Sequence, residues 1–310
     1  MCDSSIPLPD LDFDELDELD NISSSPKYDL HVNISNLTNI FGFQLITDTP
    51  IKASYNSCVY AASSEPMYYD KRQNTQLLAK KYALKISTNK PRILKEFENY
   101  QKLPKIPNIV ESFDIFEYDI YIILQMELCI GGDIFGIHFE EKIIWKLIHD
   151  ISKALDALHS EDLIHLDVSP SNILLKNDEF KLADFGNIIE NGSFRAGDEG
   201  SGPYAAPEVL LFPGKKETGF VHVGSAADIF SFGVVLLEAA SGYFAPRGGT
   251  ILYEQLRKGN LKLGDGLFKC DYSDELITLV NQMINPDPFL RPTAGQIMKR
   301  PHVINFSKKY

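Results

Sequence analysis

The sequence predicts an α+β fold in two lobes: a small, mostly-β N-lobe with one helix, and a larger, mostly-α C-lobe. Three observations predict it. Strand-like runs recur between Phe43 and Met126 around a single helical stretch. Helical spacing takes over at Ile144 and dominates to the end of the chain. Between the two regimes lies Glu127-Leu128-Cys129-Ile130-Gly131-Gly132, where the period changes. The expected division is a tail over 1–38, an N-lobe over 39–127, a hinge over 127–132 and a C-lobe over 133–307.

The tail is set apart by composition. From Asp10 to Asp20, acids alternate with Leu11, Phe13, Leu16 and Leu19. Such a segment repels itself and buries little, so it is expected to be disordered. It also carries Ser25-Pro26, a minimal site for a proline-directed kinase. The strand-like runs begin with Phe43-Gln44-Leu45-Ile46, then Cys58-Val59-Tyr60-Ala61 and Tyr82-Ala83-Leu84-Lys85-Ile86. The polar residues 64–77 read as a hairpin loop. A helix is expected from Lys90 to Lys102, then strands around Ile109 to Phe116 and Tyr121 to Met126. Beyond the hinge, Ile144, Leu147, Ile148, Ile151, Leu155 and Leu158 mark one helix face. Ala226 to Ala240 is apolar nearly all round and reads as a buried helix. Ser273 and Thr293 stand where N-caps belong, Thr293 with Gln296 three residues on.

Composition sets limits on function. Hydrophobic residues make up 44% of 310, and 43 acids against 30 bases give a net charge of −13. An acidic chain is repelled by nucleic-acid phosphates and anionic lipid, so neither is an expected partner. Cys2, Cys58, Cys129 and Cys270 are scattered without C-x-x-C pairing, which fits reduced thiols rather than a disulfide framework or zinc site. No run approaches the length of a membrane span and no signal peptide is seen. The Asn-x-Ser/Thr triplets at Asn33 and Asn36 are therefore read as chance.

The chemistry concentrates in two neighbouring loops. His165-Leu166-Asp167-Val168-Ser169-Pro170-Ser171-Asn172 carries an Asp and an Asn five positions apart. Asp184-Phe185-Gly186 follows the apolar run ending Phe180-Lys181-Leu182-Ala183. Hard oxygen ligands and a proton acceptor brought together suit phosphoryl transfer, where catalysis is mainly positioning and charge neutralisation. In order and at this spacing, the two runs resemble the H-R-D-x-x-x-x-N and D-F-G signatures of protein kinases.

The resemblance to the protein kinase fold covers about Phe43 to Phe306 and implies ATP and Mg2+ as cofactors. It makes Asp167 the catalytic base, Asn172 and Asp184 the metal ligands, and His165 a structural residue. Tyr82-Ala83-Leu84-Lys85 is similar to V-A-I-K. It places Lys85 on the nucleotide phosphates, paired with Glu96, or with Glu98 as the weaker candidate. Val59 and Ala83 would line the nucleotide cleft, Glu127 and Cys129 would offer backbone groups to adenine, and Met126 would stand at the back. Ala206-Pro207-Glu208 matches A-P-E, with Arg291 as its ion-pair partner. Asp228 would anchor the catalytic loop.

Finer features are similar to the Wee/Myt family. They are Leu166 between His165 and Asp167, Pro170-Ser171-Asn172-Ile173, Glu199-Gly200 with Tyr204-Ala205-Ala206-Pro207-Glu208, Tyr253 to Gly259, and Asn285-Pro286-Asp287-Pro288. This resemblance implies a cyclin-dependent kinase as protein substrate, phosphorylated on an inhibitory Tyr or Thr to restrain mitosis. It also implies a nuclear location, with the cytoplasm as alternative; a monomer is expected. Leu166 replaces an Arg that commonly pairs with an activation-loop phosphate, so activity is expected without that phosphate.

The chain departs from the pattern in three places. The Gly-rich loop positions hold Lys52, Ser54 and Ser57. Ser169 replaces a Lys that would steady the transferring phosphate, and Ser201 replaces an acid. A general serine/threonine kinase and a pseudokinase scaffold stay open as alternative readings.

Overall fold

The computed structural model describes residues 34–54, 57–64, 79–194, 202–210 and 223–307. The Asp10–Asp20 run, Ser25-Pro26, most of the 64–77 loop, Glu199-Gly200 and Ser201 lie outside them.

The first lobe runs α1 (Ile34–Ile40), β1 (Phe43–Leu45), β2 (Lys52–Ala53), β3 (Ser57–Ser64), β4 (Lys81–Ser87), α2 (Lys90–Lys102), β5 (Ser112–Tyr118) and β6 (Tyr121–Glu127). The strands form one antiparallel sheet in the order β1-β3-β4-β6-β5, with β2 paired to β3. The central strands β4 and β6 are buried along nearly their whole length. Period-2 alternation explains how. Leu84, Ile86 and Ile123 face one side, with Leu37 of α1 packed on them. Ala83, Ile122 and Leu124 face the other, with Ile93 of α2. A sheet covered on both faces reads as a continuous apolar run.

Helix α1 corrects the boundary of the tail, which was expected to extend to residue 38. Leu37 is 1% exposed and Thr38 is fully buried, so the packed domain includes Ile34. The segment ISNLTNI is too short and too polar to signal a helix by period; docking of Leu37 on the sheet orders it. Helix α2 occupies the expected span. Asn89 caps it by accepting from the Arg92 N–H, and Pro91 sits in its first turn, where no N–H is missed. Strand β5 begins three residues later than expected. Ile109 instead makes an isolated parallel bridge to Leu182 that ties the lobes together.

The second lobe holds α3 (Glu141–Ser160), β7 (Leu163–Ile164), β8 (Ile173–Lys176), β9 (Glu179–Leu182), β10 (Ile189–Glu190), α4 (Pro207–Leu210), α5 (Ala226–Ser241), α6 (Ile251–Arg257), α7 (Asp274–Met283), α8 (Ala294–Met298) and α9 (Pro301–Ser307). Helix α5 is buried on every face from Ala227 to Ala240, as its all-round apolar sequence requires. A Cβ at Gly233 would lie 2.8 Å from Ile284 Cγ2 and 2.9 Å from Met283 Cβ. Glycine there lets α5 close on the end of α7. Ser273 caps α7 through the Leu276 N–H, and Thr293 and Gln296 form a reciprocal capping box on α8.

Candidate active site

The roof of the cleft between the lobes is β4. Ala83 and Lys85 are two apart, so both point into the cleft. Lys85 Nζ donates to both Glu96 oxygens, at 2.8 and 2.7 Å, and lies 3.4 Å from Asp184 Oδ1. Glu96 is fully buried, whereas Glu98 is exposed, which settles the partner of Lys85. Burial works against the Lys85 charge, but Asp184 and Glu96 outweigh it and raise its pKa. Burial pushes the Glu96 carboxyl up to about 7 against the pull of Lys85. The ammonium is held on a rigid strand, ready for an anion.

The floor is the loop between β7 and β8. Asp228, in the first turn of α5, accepts from the backbone N–H groups of His165 at 2.9 Å and Leu166 at 2.8 Å. His159 Nε2 adds a contact at 2.9 Å. Burial disfavours the Asp228 charge, yet these donors and the nearby histidines win and hold its pKa below the usual carboxylate range. The anchor forces Leu166 into the left-handed region, at φ 62°, with its side chain buried. His165 is fully buried, with Nε2 at 3.2 Å from the Ala183 carbonyl and its ring edge-on to Phe185. It is a structural residue.

From this anchored loop Asp167 pairs with Asn172, which lines the cleft. The Asp167 Oδ2 accepts from Asn172 Nδ2 and Asn187 Nδ2, both at 3.1 Å. Asn172 also donates to the Asp167 carbonyl at 2.9 Å, which turns its Oδ1 toward the cleft. Asn187 is a functional neighbour that the motifs do not name; its place directly after Asp184-Phe185-Gly186 is the only clue in sequence. Asp184 takes φ 63°, and Phe185 behind it is fully buried against Tyr100. Burial raises the Asp184 pKa, but Lys85, Lys52 and His165 overcome it and hold the carboxyl low, so it stays ionised.

Lys52, Ser54, Ser57, Val59, Ala83, Glu127 and Cys129 all line this cleft, as expected, and Met126 stands at the back. Two expectations need refinement. The Glu127 N–H already donates to the Glu111 carbonyl at 2.8 Å, so it is spent. The Glu127 carboxylate turns away to Lys176 at 2.9 Å and Lys181 at 3.0 Å. The Cys129 carbonyl accepts from Gly132, and burial pushes its thiol up to about 11, leaving it unreactive.

Beyond the cleft, Glu208 and Arg291 form a two-pronged buried ion pair at 2.6 and 2.8 Å. Arg257 belongs to the Tyr253–Gly259 run, and the structure adds a role for it that the resemblance does not assign. It donates to the carbonyls of Gly202, Pro203 and Ala205 and stacks 3.4 Å from the Tyr253 ring, fixing the segment before α4. Tyr204 in that segment is buried and donates to Glu238 at 2.7 Å.

The donor set fits magnesium. Asp184 Oδ1 is buried with only the 3.4 Å ion pair to Lys85, and Asn172 offers a neutral oxygen in the same cleft. Among the described residues, no cluster of three or more His, Cys, Asp or Glu is assembled. One carboxylate and one amide, completed by water and phosphate oxygens, is a pattern magnesium accepts.

Comparison with known proteins meets this geometry. The "Protein kinase domain" family model matches residues 64–303. A membrane-associated tyrosine- and threonine-specific cdc2-inhibitory kinase of Drosophila melanogaster is 32% identical, over 74% of this chain and 43% of its own length. The mitosis inhibitor protein kinase mik1 of Schizosaccharomyces pombe is 28% identical, over 96% of this chain and 54% of its own. CBL-interacting serine/threonine-protein kinase 2 of Arabidopsis thaliana is 32% identical, over 63% of this chain and 43% of its own. The chain thus spans about half the length of these relatives. No helix among the described residues is long and apolar enough to cross a membrane. With a family match across both lobes and the cleft assembled between them, the chain belongs to the protein kinase family and is similar to its mitosis-inhibitory members.

Proposed function

We propose that this protein transfers the terminal phosphoryl group of ATP to a protein hydroxyl, with Mg2+, and that its substrate is a cyclin-dependent kinase modified on an inhibitory Tyr or Thr. One observation carries the reading: Lys85, Glu96, Asp184 and Asn172 line one cleft from four separate segments, with Asp167 hydrogen-bonded to Asn172 at its floor. A scaffold has no use for all five together.

When bound, magnesium supplies charge neutralisation of the phosphate oxygens. Asp184 and Asn172 would hold it. Lys85, fixed by Glu96, orients the phosphates. Val59, Ala83 and Met126 exclude water from the base. Asp167, itself oriented by Asn172 and Asn187, accepts the hydroxyl proton. The new O–P bond forms as the bond from the terminal phosphorus to the bridging oxygen breaks. ADP leaves with that electron pair, and the proton passes from Asp167 to solvent.

The finer substrate rests on the printed roles of the Drosophila and Schizosaccharomyces relatives. A nuclear location and a monomeric state accompany that reading. The Arabidopsis relative, at equal identity, supports a second reading, a general serine/threonine kinase. One assay separates them. Purified protein with Mg-ATP is offered an inactive cyclin-dependent kinase and a generic serine/threonine substrate, with Asp167→Asn as control, and the modified residue is mapped. Transfer to the cyclin-dependent kinase on Tyr or Thr of its glycine-rich loop is expected. Transfer to the generic substrate alone favours the second reading. No transfer to either, with no thermal shift in Mg-ATP, refutes both.

A further inference from the structure

Lys52 lies on the outer strand of the cleft roof, opposite Val59 in the β2–β3 pairing. Its side chain spans the cleft mouth. Nζ donates to the Ser171 carbonyl at 2.8 Å and to Asn172 Oδ1 at 3.2 Å. One ammonium thus joins the roof to the floor beside the Asp167–Asn172 pair.

Three features give this contact meaning. First, Lys52 and Lys85 are the two cations lining the cleft among the described residues, and Lys85 is held by Glu96 and Asp184. Second, the floor loop carries Ser169, buried and uncharged, so it brings no cation of its own. Third, among the described residues of the roof, the groups of Ser54 and Ser57 already pair with one another. The Ser54 N–H donates to the Ser57 carbonyl at 2.8 Å, and the two hydroxyls pair at 2.9 Å. Phosphoryl transfer needs positive charge aimed at the phosphate oxygens. The acceptors Lys52 now holds are neutral, whereas phosphate oxygens are anionic and attract the ammonium by charge as well as by hydrogen bonding.

We propose that Lys52 is a phosphate-binding cation of this cleft: its ammonium exchanges the Ser171 carbonyl and the Asn172 amide oxygen for phosphate oxygens of the bound nucleotide. The exchange frees Asn172 Oδ1 for the metal at the same moment. Lys52 thereby supplies from the roof the charge that Ser169 does not supply from the floor. The inference rests on the nucleotide-binding reading above.

The test is equilibrium titration of wild type, Lys52→Met and Lys52→Arg with ATP and with adenosine, each in Mg2+ and in EDTA. Lys52 is exposed on a two-residue strand, so both variants are expected to melt with the wild type. Lys52→Met is expected to bind ATP about tenfold more weakly or worse, as loss of a charge-assisted contact implies. Adenosine affinity is expected to hold, and Lys52→Arg to restore ATP binding. The ATP loss should persist in EDTA, which separates lysine from metal. Equal change for ATP and adenosine, in either direction, overturns the proposal and leaves Lys52 as a strap across the cleft. Failure of the wild type to bind ATP at all overturns the nucleotide reading itself, and this proposal with it.

Discussion

Glu208→Gln is expected to cost the protein about 3 kcal/mol. The Arg291 side chain is fully buried and meets both Glu208 oxygens. Removing one partner of a buried pair typically costs about 3–5 kcal/mol, because the other charge stays buried without compensation. Arg291 would keep the carbonyls of Asn285, Ala226 and Pro286, at 2.7, 2.8 and 3.1 Å, and Phe230 below it at 4.9 Å. These place the expected loss at the lower end. With a urea slope of about 3 kcal/mol/M, the unfolding midpoint should fall by about 1 M. Glu208 opens α4, directly after the segment cradled by Arg257, so protein-substrate KM should rise while ATP affinity holds. Glu208→Leu with Arg291→Met removes both charges and should recover most of the midpoint. A single variant losing less than about 1 kcal/mol, or a double variant no better than the single, would refute the reasoning.

Three further outcomes follow from the geometry. Gly131→Ala should misplace the hinge, since its Cβ would fall 2.7 Å from the Leu175 carbonyl; weaker ATP binding by titration checks it. The Asp228 pKa is depressed in the fold, so its contribution to stability is full above the unfolded value of about 3.9 and lost as pH falls through the folded value. Near-ultraviolet circular dichroism below about pH 4 should therefore show loss of packing, and Asp228→Asn should weaken that dependence. Phosphatase-treated protein should retain full transfer activity, because buried Leu166 cannot pair with a phosphate and the Tyr204 hydroxyl is bonded to Glu238. Strict dependence on a phosphate at Ser193, Ser201 or Tyr204 would count against it.

The sequence was most legible where chemistry and period coincide. Lys85, Glu96, Asp167, Asn172 and Asp184 sit in short runs whose spacing is fixed by strand and loop geometry; the structure brings four of them into one cleft and bonds Asp167 to Asn172 at its edge. The helices α3 and α5 were legible from their apolar residues, and the starts of α7 and α8 from their caps. Less could be read where the partner lies far along the chain. Helix α1 exists through Leu37 docking on a sheet that later strands complete. Arg257 looks like any basic residue ending a helix, until three carbonyls from a segment more than fifty residues earlier surround it. The spent N–H of Glu127 depends on which strand pairs beside it, and that register is set in three dimensions. Lys52 illustrates the same limit. Counting positions identified it as a non-glycine in the roof, but only the folded cleft shows where its ammonium lands.

The Glu127 carboxylate gives the cleft a mechanical character. It clasps Lys176 and Lys181 on the β8–β9 hairpin of the opposite lobe, at the rear of the hinge. Lys52 makes the corresponding stitch at the front. The rear clasp uses only the Glu127 carboxylate, turned to the hairpin, whereas the front stitch lies on Asn172. If Lys52 exchanges partners as proposed, a nucleotide undoes the front stitch and leaves the rear clasp in place.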